Sequence, residues 1–138
     1  MTGADLVNPE ELGPARGFSH GVLGPAGGRV LYVAGQTAPG AGPDDPEERL
    51  VAQFAAALDR ALAVVRAAGG RPEHVARMTV YVTDMLAYRA VRPRLAEPWR
   101  EAMGGHYPAM ALVEVRSLVD DGAVVEIEAT AVLPEEAS

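Results

Sequence analysis

The reactive side chains available to this sequence are few, and the missing ones narrow its chemistry first. All twelve basic residues are arginine, and there is no cysteine. Without lysine, no Schiff base can form with a carbonyl substrate or with pyridoxal phosphate. Without cysteine there is no thiol nucleophile and no thiolate-ligated metal or iron–sulfur centre. Carboxylates, histidines, arginines and hydroxyls remain. His20, His74 and His106 are scattered, with no i, i+4 pair and no His-Glu-x-x-His pattern, so no metal site is expected. The glycine runs 24–28 and 40–42 have neither P-loop nor dinucleotide spacing, and no cofactor is expected. Among the carboxylates, Glu126 alternates with Val125 and Ile127, the pattern of a glutamate on one face of a strand.

Such side chains work only if secondary structure positions them. Phe18 to Leu23 and Arg29 to Ala34 are strand candidates around the turn Gly24-Pro25-Ala26-Gly27-Gly28, and are expected to pair as a hairpin. Asp45 as N-cap, Pro46 at the first helical position and Glu48 at the third predict a helix start of the capping-box kind. Leu50, Phe54, Leu58, Leu62 and Val65 then recur at helical spacing, and Gly69-Gly70 supplies the stop. Met78, Val80 and Val82 alternate with polar residues across Val75 to Thr83, a third strand. Tyr88, Val91, Leu95, Trp99 and Met103 make a second helical face that Pro93 and Pro98 must start, kink or split. Two more strands follow, Ala109 to Arg116 and Val124 to Leu133, joined through Asp121-Gly122.

The order β-β-α-β-α-β-β predicts an α+β domain, a mixed sheet with both helices on one face. Residues 1–15 are expected to be a flexible N-terminal arm, 16–134 the single domain and 135–138 a tail. The 138 residues are 49% hydrophobic and 22% charged, enough for one core. A net charge of -7 argues against binding a phosphate backbone. No stretch reaches the roughly 18 apolar residues of a membrane span and no basic signal segment begins the chain, so a cytoplasmic protein is expected. The second sheet face, half apolar and uncovered, predicts self-association.

In order along the chain stand Tyr32-Val33-Ala34-Gly35-Gln36, Ala52-Gln53 with Leu58-Asp59 and Ala67-Ala68-Gly69, then Thr79-Val80-Tyr81-Val82-Thr83-Asp84-Met85. Pro108-Ala109, Val113-Glu114-Val115 and Glu126-Ile127-Glu128-Ala129 follow. By these blocks the chain resembles the Rid family, the YjgF-like proteins also called L-PSP endoribonucleases, over Phe18 to Leu133. The resemblance implies a homotrimer of chorismate-mutase-like fold. It also implies clefts between subunits in which imines and enamines such as 2-aminoacrylate are hydrolysed. In the family an arginine after Pro-Ala clamps the substrate carboxylate, and a glutamate on the last strand handles the attacking water.

Carried over residue by residue, the match is partial. Met110 holds the arginine's place, Phe18 that of a tyrosine and Ala34 that of a serine. Arg92 falls where an asparagine is frequent, and Glu126, Gly35 and Gln36 remain as matched. The resemblance therefore implies a divergent member with Met110, Phe18, Ala34 and Gly35 lining the cleft: an enzyme acting on a small apolar imine, enamine or ketone with Glu126 as acid/base, or a non-catalytic trimer binding a hydrophobic ligand or partner, or a conventional 2-imino acid deaminase with its anion clamp relocated. Desolvation by such walls would push the Glu126 carboxyl upward. Tyr107 and His20 are further candidates for that lining, and Arg92 for a replacement clamp. Glu114 is expected to make a structural hydrogen bond at a subunit interface.

Overall fold

The computed structural model describes residues 5–136. Helix α1 (Pro46–Ala67) begins as its capping residues dictate, with Asp45 Oδ2 accepting from the Glu48 amide at 3.0 Å. The reciprocal half of the box is replaced: Glu48 reaches across to Arg94 at 2.8 Å. At the other end, Gly69 adopts φ 87°, and the amides of Gly69 and Gly70 donate to the carbonyls of Arg66 and Val65, both at 2.9 Å. These two bonds close a Schellman motif, which needs the left-handed glycine.

The main sheet contains β3 (Arg29–Gln36), β4 (Val75–Val82), β5 (Ala109–Glu114) and β6 (Val125–Leu133), in the spatial order β3-β6-β4-β5. β6 runs antiparallel to both neighbours, and β4 pairs parallel with β5. The sheet is mixed and the fold α+β, as expected. Two expected neighbours are not neighbours. The Asp121-Gly122 turn leads away from β5, because β6 inserts between β3 and β4, where its alternate apolar residues are buried on the α1 side. The hairpin of the first two candidates is also absent. Only Gly21–Leu23 (β2) is extended there, and it pairs antiparallel with Asp5–Val7 (β1), inside the segment expected to be an arm. The Gly-Pro turn releases β2 from β3, and the exposed β1 offers the free edge that satisfies its backbone.

Proline splits the second helical face. Met85–Val91 (α2) gives way at Pro93 to a 3-10 turn, Arg92–Leu95, before α3 (Ala96–Met103). Pro98 lies in the first turn of α3, where its missing amide has no helical partner to lose. The core is the layer between these helices and the sheet: Phe54, Leu58, Leu62, Met78, Val80, Ile127 and Trp99 are all buried there. Buried Gln53 is fully partnered. It accepts from the Val124 amide at 2.9 Å and donates to the carbonyls of Pro39 and Gly122, which ties the loop after β3 to the start of β6. Among the described residues, no helix is long and apolar enough to cross a membrane.

Candidate functional site

Strand alternation sends the candidate residues to opposite sides of the sheet. On β5, Met110 and Leu112 point toward the helices, and Ala111 and Val113 point away. On β6, Val125, Ile127 and Ala129 are buried under α1, so Glu126, Glu128 and Thr130 face the uncovered side. Met110 and Glu126 of one chain thus lie on different faces.

On the helix side, Met110 forms a wall of an open cavity of about 210 Å³, lined also by Phe54, Tyr88, Leu95, Trp99, Tyr107 and Leu112, with Gly17 and Arg92 at its border. Trp99 and Tyr107 stack with ring centroids 5.7 Å apart and planes at 10°. The Trp99 indole N–H donates to the His106 carbonyl at 3.2 Å, fixing the ring. Buried Ser19 pins the entering chain. Its hydroxyl donates to the Tyr107 carbonyl at 2.5 Å and its amide to the Pro108 carbonyl at 3.0 Å. Burial holds the Tyr88 phenol above its usual range, and the neighbouring Arg92 charge opposes that shift. Of the sequence candidates, Met110, Tyr107 and Arg92 come together here. Phe18 and His20 do not line this cavity in the single chain: their rings meet edge to face at 5.1 Å, and His20 Nε2 contacts the Gly13 carbonyl at 3.1 Å.

The open face holds the other group. Between Val33 and Gln36 the β3–β6 register slips by one residue, a bulge that leaves Ala34 and Gly35 without ladder partners. Into that gap comes the Glu126 carboxylate, so close that a Cβ on Gly35 would stand 2.7 Å from its Cδ and Oε2. What Gly35 supplies there is room for the carboxylate and not backbone conformation, since its φ is not in the left-handed region. Opposite Glu126 in register is Tyr81, whose hydroxyl donates to Glu128 Oε2 at 3.0 Å. That bond, burial and the two carboxylate charges raise the Tyr81 phenol above its ordinary value. Tyr32, Arg77, Thr79, Glu128 and Thr130 border a second hollow of about 190 Å³ on this face. Glu114 caps α2 within its own chain, accepting from the Met85 amide at 2.8 Å.

Sequence reasoning passed over Tyr88, Trp99 and Leu112 as cavity walls. Tyr88, Leu95 and Trp99 on the apolar helical face carried the signal, and it read as core. Among the described residues, no three His, Asp or Glu side chains converge as metal ligands.

The endoribonuclease L-PSP family model matches residues 9–133. A Rid-family protein of unknown function from Yersinia pestis (YyfB) is 32% identical, with 95% of this chain and 99% of that one covered and a TM-score of 0.79. A member of the YjgF/YER057c/UK114 family from Mycobacterium tuberculosis is also 32% identical, over 93% and 98% of the two chains, with a TM-score of 0.59. The YjgF gene product of E. coli is 30% identical over 91% and 92%, with a TM-score of 0.62. No curated protein matches the sequence. With its mixed sheet, its helix-side cavity and a family match across nearly its whole length, the chain belongs to the Rid family.

Proposed function

We propose that this chain is a divergent Rid-family enzyme that works as a homotrimer in the cytoplasm, with its small-molecule cleft completed between subunits. The observation that carries this is the separation of the two half-sites. The apolar cavity beside Met110 lies on the helix side, and Glu126 lies against Gly35 on the open face. One chain cannot bring them to one ligand; a neighbour's open face set against the cavity rim can. Tyr32, Val30 and Val113, respectively 79%, 52% and 41% exposed, give that face the apolar surface an interface needs.

The chemistry follows from the family resemblance and from these walls. Water adds through its oxygen to the carbon of a C=N bond while Glu126 takes one of its protons and passes it to nitrogen; Glu126 then carries the proton of the new hydroxyl to the same nitrogen, and the C–N bond breaks to release ammonia as the carbonyl forms. Met110 in place of a strand arginine supports a preference for an apolar imine, enamine or ketone, with weak or absent activity on 2-aminoacrylate. The same methionine favours a second reading, a trimer that binds a hydrophobic metabolite or partner without turning it over. RNA is not the expected partner, given a net charge of -7.

One variant tests both readings. Glu126→Gln should keep a particle of three times 14.4 kDa and lower ammonia release from apolar imines by about 100-fold. A monomer in light scattering, or unchanged turnover in the variant, overturns the catalytic reading.

A further inference from the structure

We propose that the open face recognises a second copy of this chain through an ion pair, Arg77 of one subunit with Glu128 of the partner subunit. This rests on the homotrimer proposed above and deepens it by naming the charges that set the copies in register, a part separate from the acid/base role given to Glu126. Strand alternation leaves Arg77 of β4 and Glu126 and Glu128 of β6 as the charged strand residues of that face. Arg77 is exposed and enters none of the ion pairs among the described residues. It stands opposite Thr130, and Glu128 stands opposite Thr79, so the two are diagonal neighbours across the β4–β6 ladder. Glu128 does not use that proximity. Its Oε2 accepts from the Tyr81 hydroxyl at 3.0 Å, and Tyr81 and Arg77 flank Thr79 on β4, so the bond draws the carboxylate away from the arginine.

Arg77 and Glu128 thus border the same hollow of about 190 Å³, beside the exposed Tyr32 ring, as an unpaired cation and a carboxylate whose Oε1 accepts nothing among the described residues. Water satisfies both while the face is open. Covering the face removes that water, and a guanidinium buried without a carboxylate loses hydration that nothing replaces. The covering surface must therefore bring an anion to Arg77 and a cation to Glu128. A second copy of the same face brings both. A closed ring joins one patch of a chain to a different patch of the next, so every arginine can meet a carboxylate and no like charges need face each other. A planar guanidinium is also the group best suited to a carboxylate in an interface. The hollow reaches Thr130 on β6, away from the bulge at Gly35, so the pair leaves Glu126 to the cleft.

Charge exchange tests the pairing. The full-length protein is passed through size exclusion with light scattering over a range of concentrations, as wild type, Arg77→Glu, Arg77→Glu/Glu128→Gln and Arg77→Glu/Glu128→Arg. Circular dichroism reports the folding of each. Arg77→Glu sets carboxylate against carboxylate and should raise the chain concentration needed for assembly by at least about 100-fold, with the subunit still folded. Adding Glu128→Gln, which leaves the Tyr81 hydroxyl an amide oxygen to bond, should recover part of the assembly. Adding Glu128→Arg, the full exchange, should recover more. Arg77→Glu that assembles like the wild type, or loss of assembly that neither second change relieves, overturns the pairing. The two proposals fail separately. A wild-type trimer indifferent to Arg77→Glu loses this pair and keeps the homotrimer, whereas a wild-type monomer removes both. A trimer that follows the charge exchange but turns over no imine loses the enzyme reading and keeps the pair.

Discussion

The two faces of the same sheet differ in what completes them. On the helix side the chain supplies its own cover: α1, α2 and α3 bury Phe54, Met78 and Ile127, and the space left over is the aromatic cavity beside Met110. On the open side nothing of the described chain lies over Tyr32, Tyr81, Glu126 and Glu128, and there the charges gather. The comparison teaches that apolar binding surface and ionisable chemistry have been sorted by strand alternation, one residue apart in sequence and a sheet's thickness apart in space. A ligand can meet both only where two copies of the chain meet.

Charging the open face should break this arrangement most completely. Tyr32→Glu sets a second carboxylate near Glu128 at the most exposed part of that face, and light scattering should then report a monomer where the proposed assembly predicts a trimer for the wild type.

A smaller effect is expected from Gly35→Ala. The added methyl group would occupy the place of the Glu126 carboxylate, which is the flexible end of a side chain and can swing away at little structural cost. Turnover should fall by roughly tenfold, as expected for a misplaced acid/base, while the melting temperature changes little. Equal activity in Gly35→Ala would show that the carboxylate does not need its seat.

The third probe sharpens the electrostatic contrast without touching the fold. Glu128→Gln removes an acceptor charge from the Tyr81 hydroxyl, so the Tyr81 phenol should titrate closer to its ordinary value in an ultraviolet pH titration. The Tyr88 phenol, raised instead by burial on the helix side, should not move.

His74, outside both faces, should give the smallest change. Its Nδ1 accepts from the Arg71 amide at 2.9 Å, and desolvation lowers its pKa below the ordinary 6.5. The unfolded chain therefore binds this proton first, and the native state loses stability as pH falls through 6.5 toward the folded value. Chemical denaturation at pH 7.5 and pH 5.5 should show part of the acid loss removed in His74→Gln.

Local rules made much of the fold legible. Asp45, Pro46 and the Gly69-Gly70 stop bracket α1 within its observed bounds, and period-two alternation identifies β4 and β6 within a residue or two. Pairing was not legible at the same level. The Gly-rich turn at 24–28 and the Asp-Gly turn at 121–122 both suit hairpins, yet neither joins strands that lie side by side. A turn constrains only the few residues it contains. The choice of neighbour depends on which strand best covers α1, and β6, with five alternating residues buried, takes the centre.

The candidate site divides along the same line. Met110, Glu126, Gly35 and Arg92 could be named from residue types and a matching order of blocks, since these are properties of the chain itself. Helical spacing placed Tyr88 and Trp99 on an apolar stripe, but whether a stripe closes into core or borders a cavity depends on the elements facing it. The sequence by itself determined which side chains exist, which elements carry them and that no lysine or cysteine chemistry is possible. Only the tertiary structure decided that Met110 and Glu126 look to opposite sides and that Glu126 sits in the space left by Gly35. The physical reason is that period and capping are local, whereas the face a strand buries is fixed by strand order and by one slip of register.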